Sequence, residues 1–206
     1  ESPYGKAQEG WNLIGNPYLA DINITKHQNV IFDEHKVTKF VYQYNKELDN
    51  YITFDMTNYD EEQKIIPFQS YFVQTLAPEA ELTVTPVAKE VTLNRRTFDY
   101  YTANEYTSVR LKLYAGDKEQ DRTDIIWEEG ASADFVVNED APKFWSLSAT
   151  ANQLFSAAGK SAASVNTLPM DTEEVKLGLR IGTPGKLSLR LSRITGFTGD
   201  DEVILW

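Results

Sequence analysis

The spacing of acidic side chains in the middle of the chain matches that of a calcium-binding loop. Five oxygen-bearing residues fall on positions one, three, five, seven and twelve of such a loop: Asp117, Glu119, Asp121, Thr123 and Glu128. Hard oxygen ligands at these positions chelate Ca²⁺, but that loop turns on Gly at position six, where this chain has Arg122. A solvated hairpin loop is therefore the favoured interpretation, and weak calcium binding by Asp117, Glu119, Asp121 and Glu128 is the alternative.

Two tryptophans are candidates for sugar binding. Trp127 and Trp145 offer flat apolar faces on which a sugar ring can stack. Tryptophan more often packs within a core or between sheets, so burial is the competing interpretation. Exposure of the two rings decides between these interpretations.

The residue types of the common catalytic sites are scarce or badly spaced. The sequence has no Cys and no Gly-x-Ser-x-Gly motif, and its two histidines, His27 and His35, lie in a charged region. Gly159-Lys160-Ser161 resembles the end of a phosphate-binding loop, but Leu154 stands where that loop requires Gly. We therefore expect a protein that is not an enzyme and that, the calcium alternative aside, needs no cofactor.

The net charge of the chain argues against one class of partner, nucleic acids. Among the 206 residues, 31 are Asp or Glu and 20 are Lys or Arg, which gives a formal charge of −11. Such a field repels phosphate backbones, so a nucleic-acid partner is not expected. No stretch approaches the roughly 20 apolar residues of a membrane-spanning helix. Because the first residue is Glu1 rather than Met, we expect a processed or excised part of a longer protein, without a transmembrane segment.

Alternation of apolar and polar residues predicts strands in the second half of the chain. Val109, Leu111 and Leu113 alternate with polar residues, so one face of this strand should be buried. The same period returns at 175–181 and at 187–191. A Gly-Thr-Pro-Gly turn separates these two runs, which predicts that they form one hairpin.

The stretch between these strands is harder to interpret. Residues 138–146 contain caps that suit one helical turn, with Asn138 or Asp140 ahead of Pro142. Residues 147–164 suit either short strands or a helix, and we favour strands.

The first half predicts shorter, more aromatic strands at 40–44, 51–56, 70–76 and 81–85. Proline at position 86 begins a short connector, which suggests a boundary between modules 1–88 and 89–206. The sequence thus predicts an all-β fold of antiparallel β-sandwich modules, two of them packed in tandem. A crossover within one sandwich is the alternative interpretation of this connector.

Two phrases stand out from the rest of the sequence: Gly-Trp-Asn-Leu-Ile-Gly-Asn-Pro-Tyr at 10–18 and Ile-Pro-Phe-Gln-Ser-Tyr-Phe-Val at 66–73. In the first, Pro17 favours an extended residue before it, which predicts a strand that ends in a tight corner. The Tyr18 hydroxyl is then expected to bind backbone. In the second, Phe68, Tyr71 and Val73 are predicted to pack, and Gln69 to hydrogen-bond a turn.

Together the phrases resemble the GWNLxGNPY … PxQxFFV pattern of large secreted and surface proteins of the Bacteroidetes. That pattern often lies upstream of the sorting tail read by their type IX secretion system. Looser similarity continues through 121–135, 140–144 and 168–169. The resemblance implies β-sandwich modules carried on exported, cell-surface or adhesive proteins, and it implies no catalytic residues.

From the residues and this resemblance we expect a non-catalytic structural or adhesive module of a larger exported protein. Its location would be extracellular or on the outer-membrane surface. Its partners would be other modules of the parent protein, together with a glycan or a host or cell-surface protein. A carbohydrate-binding module that uses exposed aromatic rings, with calcium as an optional ligand, is the alternative.

Overall fold

Every regular element in the described part of the chain is a β-strand, which confirms the predicted all-β class. The computed structural model describes residues 9–25, 29–57, 62–86, 107–197 and 203–204. Among these residues there is no helix that could cross a membrane. The chain divides into two compact units, 1–99 and 100–206. The predicted boundary at residues 88 and 89 lies outside the described residues and stays a prediction.

The first unit contains a four-stranded antiparallel sheet and two short ribbons. In spatial order the sheet strands are β1 (Trp11–Gly15), β7 (Ser70–Thr75), β4 (Val37–Asn45) and β5 (Asn50–Asp55). The ribbons pair β2 (Ile22–Asn23) with β6 (Lys64–Ile65), and β3 (Val30–Phe32) with β8 (Leu82–Val84). The predicted strands of the first half correspond to β4, β5, β7 and β8 and are confirmed.

The ribbons cover one face of the four-stranded sheet. Ile22 and Ile65 come from the β2–β6 ribbon and join one buried cluster with Val41, Tyr71 and Val73 of the sheet. Burying a side chain of this size stabilises the fold by roughly 1.5–3 kcal/mol. The first unit therefore has the two-layer core that is typical of a β-sandwich.

The second unit is built on one seven-stranded sheet. Six strands lie in the order β14 (Leu177–Arg180), β12 (Gln153–Ala158), β13 (Ser161–Pro169), β10 (Lys118–Glu128), β9 (Thr107–Ala115) and β15 (Leu187–Thr195), and β11 (Ala141–Pro142) pairs with β13. The described pairs are antiparallel except for β10 with β13, which run parallel.

The alternation predicted in β9 is confirmed. Val109, Leu111 and Leu113 are buried in the core of the second unit. Arg110, on the opposite face, is also buried, and its guanidinium makes two hydrogen bonds to the Asp124 carboxylate, at 2.6 and 2.9 Å. Both faces of this strand are therefore covered, one by apolar groups and one by an ion pair.

The predicted hairpin between 175–181 and 187–191 is wrong. β14 pairs with β12, whereas β15 pairs with β9, so the two strands lie at opposite ends of the sheet. The turn residues are held elsewhere, because the N–H groups of Gly182 and Thr183 both donate to Asn152 Oδ1 at 3.0 Å. This anchor directs the chain away from a return along β14.

The predicted helical turn within 138–146 is also wrong, since this stretch contains β11 and extended chain. Asn138 adopts a positive φ of 77°, and the Lys143 N–H donates to the Ala162 carbonyl at 2.9 Å, which extends the pairing with β13. The strands favoured for 147–164 are confirmed by β12 and by the start of β13.

Candidate functional site

The two phrases singled out in the sequence form neighbouring strands. β1 and β7 are antiparallel partners, and their register runs from Trp11 opposite Gln74 to Gly15 opposite Ser70. Trp11 packs edge to face on the buried ring of Tyr42, with 5.2 Å between ring centroids. The phrases therefore belong to one local structure, although they are far apart in the sequence.

Asn16 forms the corner that ends β1, as the first phrase predicts. Asn16 is 2% exposed. Its side-chain amide nitrogen donates to the carbonyls of Ala20 and Ile65, at 3.0 and 2.9 Å. Its Oδ1 accepts the Tyr18 N–H at 3.0 Å. One buried amide thus joins the first phrase to β6, and the Tyr18 hydroxyl donates to the Val84 carbonyl at 3.4 Å.

The turn before β7 matches one prediction and contradicts another. The Gln69 side-chain oxygen accepts the Ile66 N–H at 3.3 Å, as expected for a turn-binding amide. Phe68, in contrast, is 75% exposed and has a positive φ of 64°, so its predicted packing is wrong. Its N–H donates to the Asn16 carbonyl at 3.1 Å, and this bond helps to hold the residue in the left-handed region.

A buried ion pair lies in the second unit. Lys143 Nζ contacts Asp121 Oδ2, and the two side chains are 1% and 3% exposed. The same Asp121 oxygen accepts the Leu154 N–H at 2.7 Å, and Oδ1 accepts the Arg122 N–H at 2.9 Å. Burial lowers the pKa of Lys143, while the adjacent Asp121 carboxylate opposes that shift. The pair therefore links β10, β12 and the chain after β11.

A second buried carboxylate, Asp140, has a similar structural role. Its Oδ2 accepts the Val136 N–H and its Oδ1 accepts the Thr167 N–H, each at 2.7 Å. Charge-assisted hydrogen bonds of this kind are stronger than those between neutral groups. Asp140 thereby fastens the turn before β11 to β13.

The acidic residues proposed for calcium do not form a loop. Glu119, Asp121 and Glu128 lie along β10, and Asp117 immediately precedes it, so the predicted hairpin loop is corrected to an extended strand. At about 3.3 Å per residue, a strand separates the ends of this set by roughly 35 Å. Glu119 pairs with Lys112 at 2.8 Å, and Asp121 with Lys143. The described residues contain no group of three or more His, Asp or Glu side chains placed to hold a metal ion.

Trp127 is held inside the second unit. Its ring is half-buried against the core and meets Phe197 edge to face, with 5.7 Å between centroids. Its indole N–H donates to the Thr172 carbonyl at 2.9 Å. These contacts occupy both the ring and its donor, which is the arrangement of a structural tryptophan.

Trp145 is placed differently. The residue is 40% exposed, and its ring meets Phe155 edge to face at 5.3 Å. The guanidinium carbon of Arg180 lies 5.7 Å from the centre of the same ring. Of the two tryptophans proposed to contact a glycan, Trp145 alone has both a fixed ring and a large exposed fraction.

Of the two histidines, the structure describes His35. His35 donates its backbone N–H to Asp33 Oδ1 at 3.0 Å, which is a local turn contact. His27 lies outside the described residues. No nucleophile is seen against His35 in the hydrogen bonds of the described chain.

Sequence reasoning missed several residues that matter most here. Nothing in the pattern singled out the pairing of Lys143 with Asp121, because the two are separated in the sequence and each looks like a surface charge. The grouping of Trp145 with Phe155 and Arg180 depends on the pairing of β12 with β14, which alternation does not reveal. The corner at Asn16 did have a signal, namely the Gly-Asn-Pro sequence.

Comparison of the chain with family models, with curated proteins and with solved structures found no match.

Proposed function

We propose that the chain is a non-catalytic structural or adhesive module of a larger exported cell-surface protein. The main observation behind the proposal is that the two phrases are hydrogen-bonded to each other at Asn16. β1 pairs with β7, the Asn16 N–H donates to the Gln69 carbonyl and the Phe68 N–H donates to the Asn16 carbonyl, so the two phrases make one hydrogen-bonded element, as expected if the pattern records a shared architecture. Extracellular or outer-membrane surface location follows from that resemblance.

The buried charges support a structural role. Asp121 of β10 pairs with Lys143 and accepts the Leu154 N–H of β12, and Asp140 accepts the Thr167 N–H of β13. Groups used in this way fix the relative positions of strands, and on β scaffolds binding is commonly carried by loops and surfaces. We expect the partners to be other modules of the parent protein and a glycan or protein on a cell surface.

An activity assay tests the non-catalytic part of the proposal. The purified chain is incubated with panels of polysaccharides and of unfolded polypeptides, and released reducing ends and amines are measured over time. We expect no turnover above the buffer control. Hydrolysis that scales with protein concentration and survives repurification would contradict the proposal.

A carbohydrate-binding module is the second candidate, and the exposure of Trp145 favours it. An aromatic ring that is fixed by a neighbour and remains 40% exposed can stack on a sugar without a large loss of side-chain entropy. Trp127, whose N–H is bonded to Thr172, contributes to the core in this candidate rather than to the ligand.

A further inference from the structure

The surface around Trp145 is built on the pairing of two strands. Phe155 of β12 lies directly opposite Gly178 of β14, so both positions are on one face of the sheet. The Phe155 ring fills the space above Gly178, where an added Cβ would overlap the ring. Trp145 packs against this ring from the segment that follows β11. Because Gly178 has no side chain, the Phe155 ring packs directly against the backbone of β14, and Trp145 packs against Phe155.

Two cationic residues flank these rings. Side chains alternate along a strand, so Lys176, Gly178 and Arg180 are on the same face. The Ala157 N–H donates to the Lys176 carbonyl at 2.8 Å, which shows that the pairing continues to this residue. Lys176 and Arg180 are both exposed. Four residues of strand place their backbones about 13 Å apart. We call Trp145, Phe155, Lys176 and Arg180 the Trp145 surface.

Arg180 differs from Arg110 and Arg190 of the same sheet in its partners. Arg110 pairs with Asp124 and Arg190 with Asp117. Within the described residues no carboxylate forms an ion pair with Arg180, whose guanidinium lies over the Trp145 ring. A guanidinium offers five N–H donors in a planar fork that matches a carboxylate. The exposed Arg180 guanidinium therefore lies beside an exposed ring.

We propose that the Trp145 surface binds a glycan that carries carboxylate groups, such as a polymer of uronic or sialic acids. A pyranose ring packs against the part of Trp145 that Arg180 and Phe155 leave exposed, and its carboxylate accepts hydrogen bonds from the Arg180 guanidinium. Lys176 attracts a second carboxylate further along the polymer. This inference rests on the carbohydrate-binding candidate and adds the chemical class of its ligand.

The test measures binding of the intact chain to immobilised polymers of known charge. The probes are polygalacturonate, alginate, hyaluronan and polysialic acid, with methyl-esterified polygalacturonate and dextran as neutral controls. Dextran sulfate and polyglutamate test whether any polyanion suffices. We expect binding to at least one carboxylated glycan and loss of that binding when its carboxylates are esterified.

Variants locate the binding. Because hydrogen bonds to a charged group are worth about 1.5–3 kcal/mol, Arg180→Gln should weaken binding by about tenfold or more. Trp145→Ala should weaken it to a similar extent. Arg190→Gln is the matched control, since Arg190 also lies over a ring, that of Tyr114, at 4.2 Å and belongs to the same sheet. It should bind like the parent chain, and circular dichroism checks that each variant is folded.

Any of four results would overturn the inference. Equal binding to neutral polymers would refute the carboxylate requirement and leave the carbohydrate-binding candidate standing. Equal binding to dextran sulfate or polyglutamate, or an equal loss in Arg190→Gln, would show that unspecific charge attraction is responsible. No binding to any glycan would remove both the inference and the carbohydrate-binding candidate, while the structural module would still be judged by its own assay.

Discussion

The ammonium group of Lys143 and the carboxylate of Asp121 form an ion pair inside the second unit, with side chains that are 1% and 3% exposed. Removing two charges from water is costly, and the pair tolerates burial because each charge compensates the other. Asp121 also accepts two backbone N–H groups. The pair therefore fixes the position of Lys143 against β10 and β12.

Lys143→Met tests this account. It leaves the Asp121 carboxylate buried without its cation, and we expect the free energy of unfolding to fall by about 3–5 kcal/mol. The matched control is Lys112→Met, which breaks the Lys112–Glu119 pair, whose side chains are 23% and 24% exposed. That change should cost less than Lys143→Met, because the Lys112–Glu119 pair is partly exposed to water. Urea denaturation of both variants makes the comparison, and equal losses would contradict it.

Tyr71 predicts a pH dependence in the first unit. It is 1% exposed, its hydroxyl has no hydrogen-bond partner among the described residues, and burial raises its pKa to about 12, with Tyr18 adding to the shift. The unfolded chain loses this proton near its ordinary pKa of 10.0 while the folded chain keeps it. Its contribution to stability is therefore complete below pH 10 and is lost as the pH rises towards 12.

Tyr71→Phe removes that titration. Because an unsatisfied buried hydroxyl costs roughly 1–3 kcal/mol, the variant should be at least as stable as the parent at neutral pH. Its advantage should then grow as the pH rises from 10.0 to about 12, the range in which the parent loses stability. Denaturation midpoints of both proteins at each pH provide the measurement. A difference that stays constant across this range would show that Tyr71 does not titrate as described.

The Asn16 corner should be sensitive to substitution. Asn16→Ala removes one acceptor and the donor that serves Ala20 and Ile65, so we expect a loss of about 2–4 kcal/mol from unmade and unsatisfied hydrogen bonds. Asn12→Ala is the control, because Asn12 is exposed and donates to Gly10 and Thr75. It should cost about 1 kcal/mol or less. If the two variants unfold at the same urea concentration, the Asn16 side chain does not anchor the first phrase to β6 as described.

Phe68 should tolerate a change that is usually severe for an aromatic residue. Its φ of 64° and its 75% exposure mean that little apolar contact is lost and backbone strain is relieved when Gly replaces it. Relief of about 1–2 kcal/mol is partly offset by the greater entropy of unfolded Gly. We expect Phe68→Gly to be as stable as the parent or up to about 1 kcal/mol more stable. Phe68→Val should be less stable than either in the same thermal scan, and a Gly variant that is the least stable of the three would contradict the assignment.

Local pattern was enough to predict many of the strands. Alternation located β9 through Val109, Leu111 and Leu113, because a strand with one face on the core must bury every second residue. Alternation also located the strands around 187–191 and 177–180. The prediction that these two strands pair with each other was wrong, because β14 pairs with β12 and β15 with β9. Pairing depends on contacts between distant segments, here the anchoring of Gly182 by Asn152.

The sequence-based prediction for β10 was wrong because of its many charged residues. Its acidic residues suggested a solvated loop, whereas Glu119, Asp121 and Asp124 each meet a cation from elsewhere in the chain. The cations are Lys112, Lys143 and Arg110, and only the folded sheet brings them into range. The candidate site could not be predicted for the same reason. Trp145 is exposed and Trp127 is half-buried because of neighbouring side chains that the sequence does not identify.

We propose that the chain belongs to a larger exported protein, and its location in the source cells is the measurement that distinguishes this from a separate cytoplasmic protein. Intact cells are treated with protease or left untreated and then probed with antibody to this chain, with a cytoplasmic protein as the control for lysis. We predict a band much larger than 23.4 kDa that disappears after treatment of intact cells. A band near 23.4 kDa that survives until the cells are lysed would contradict the account.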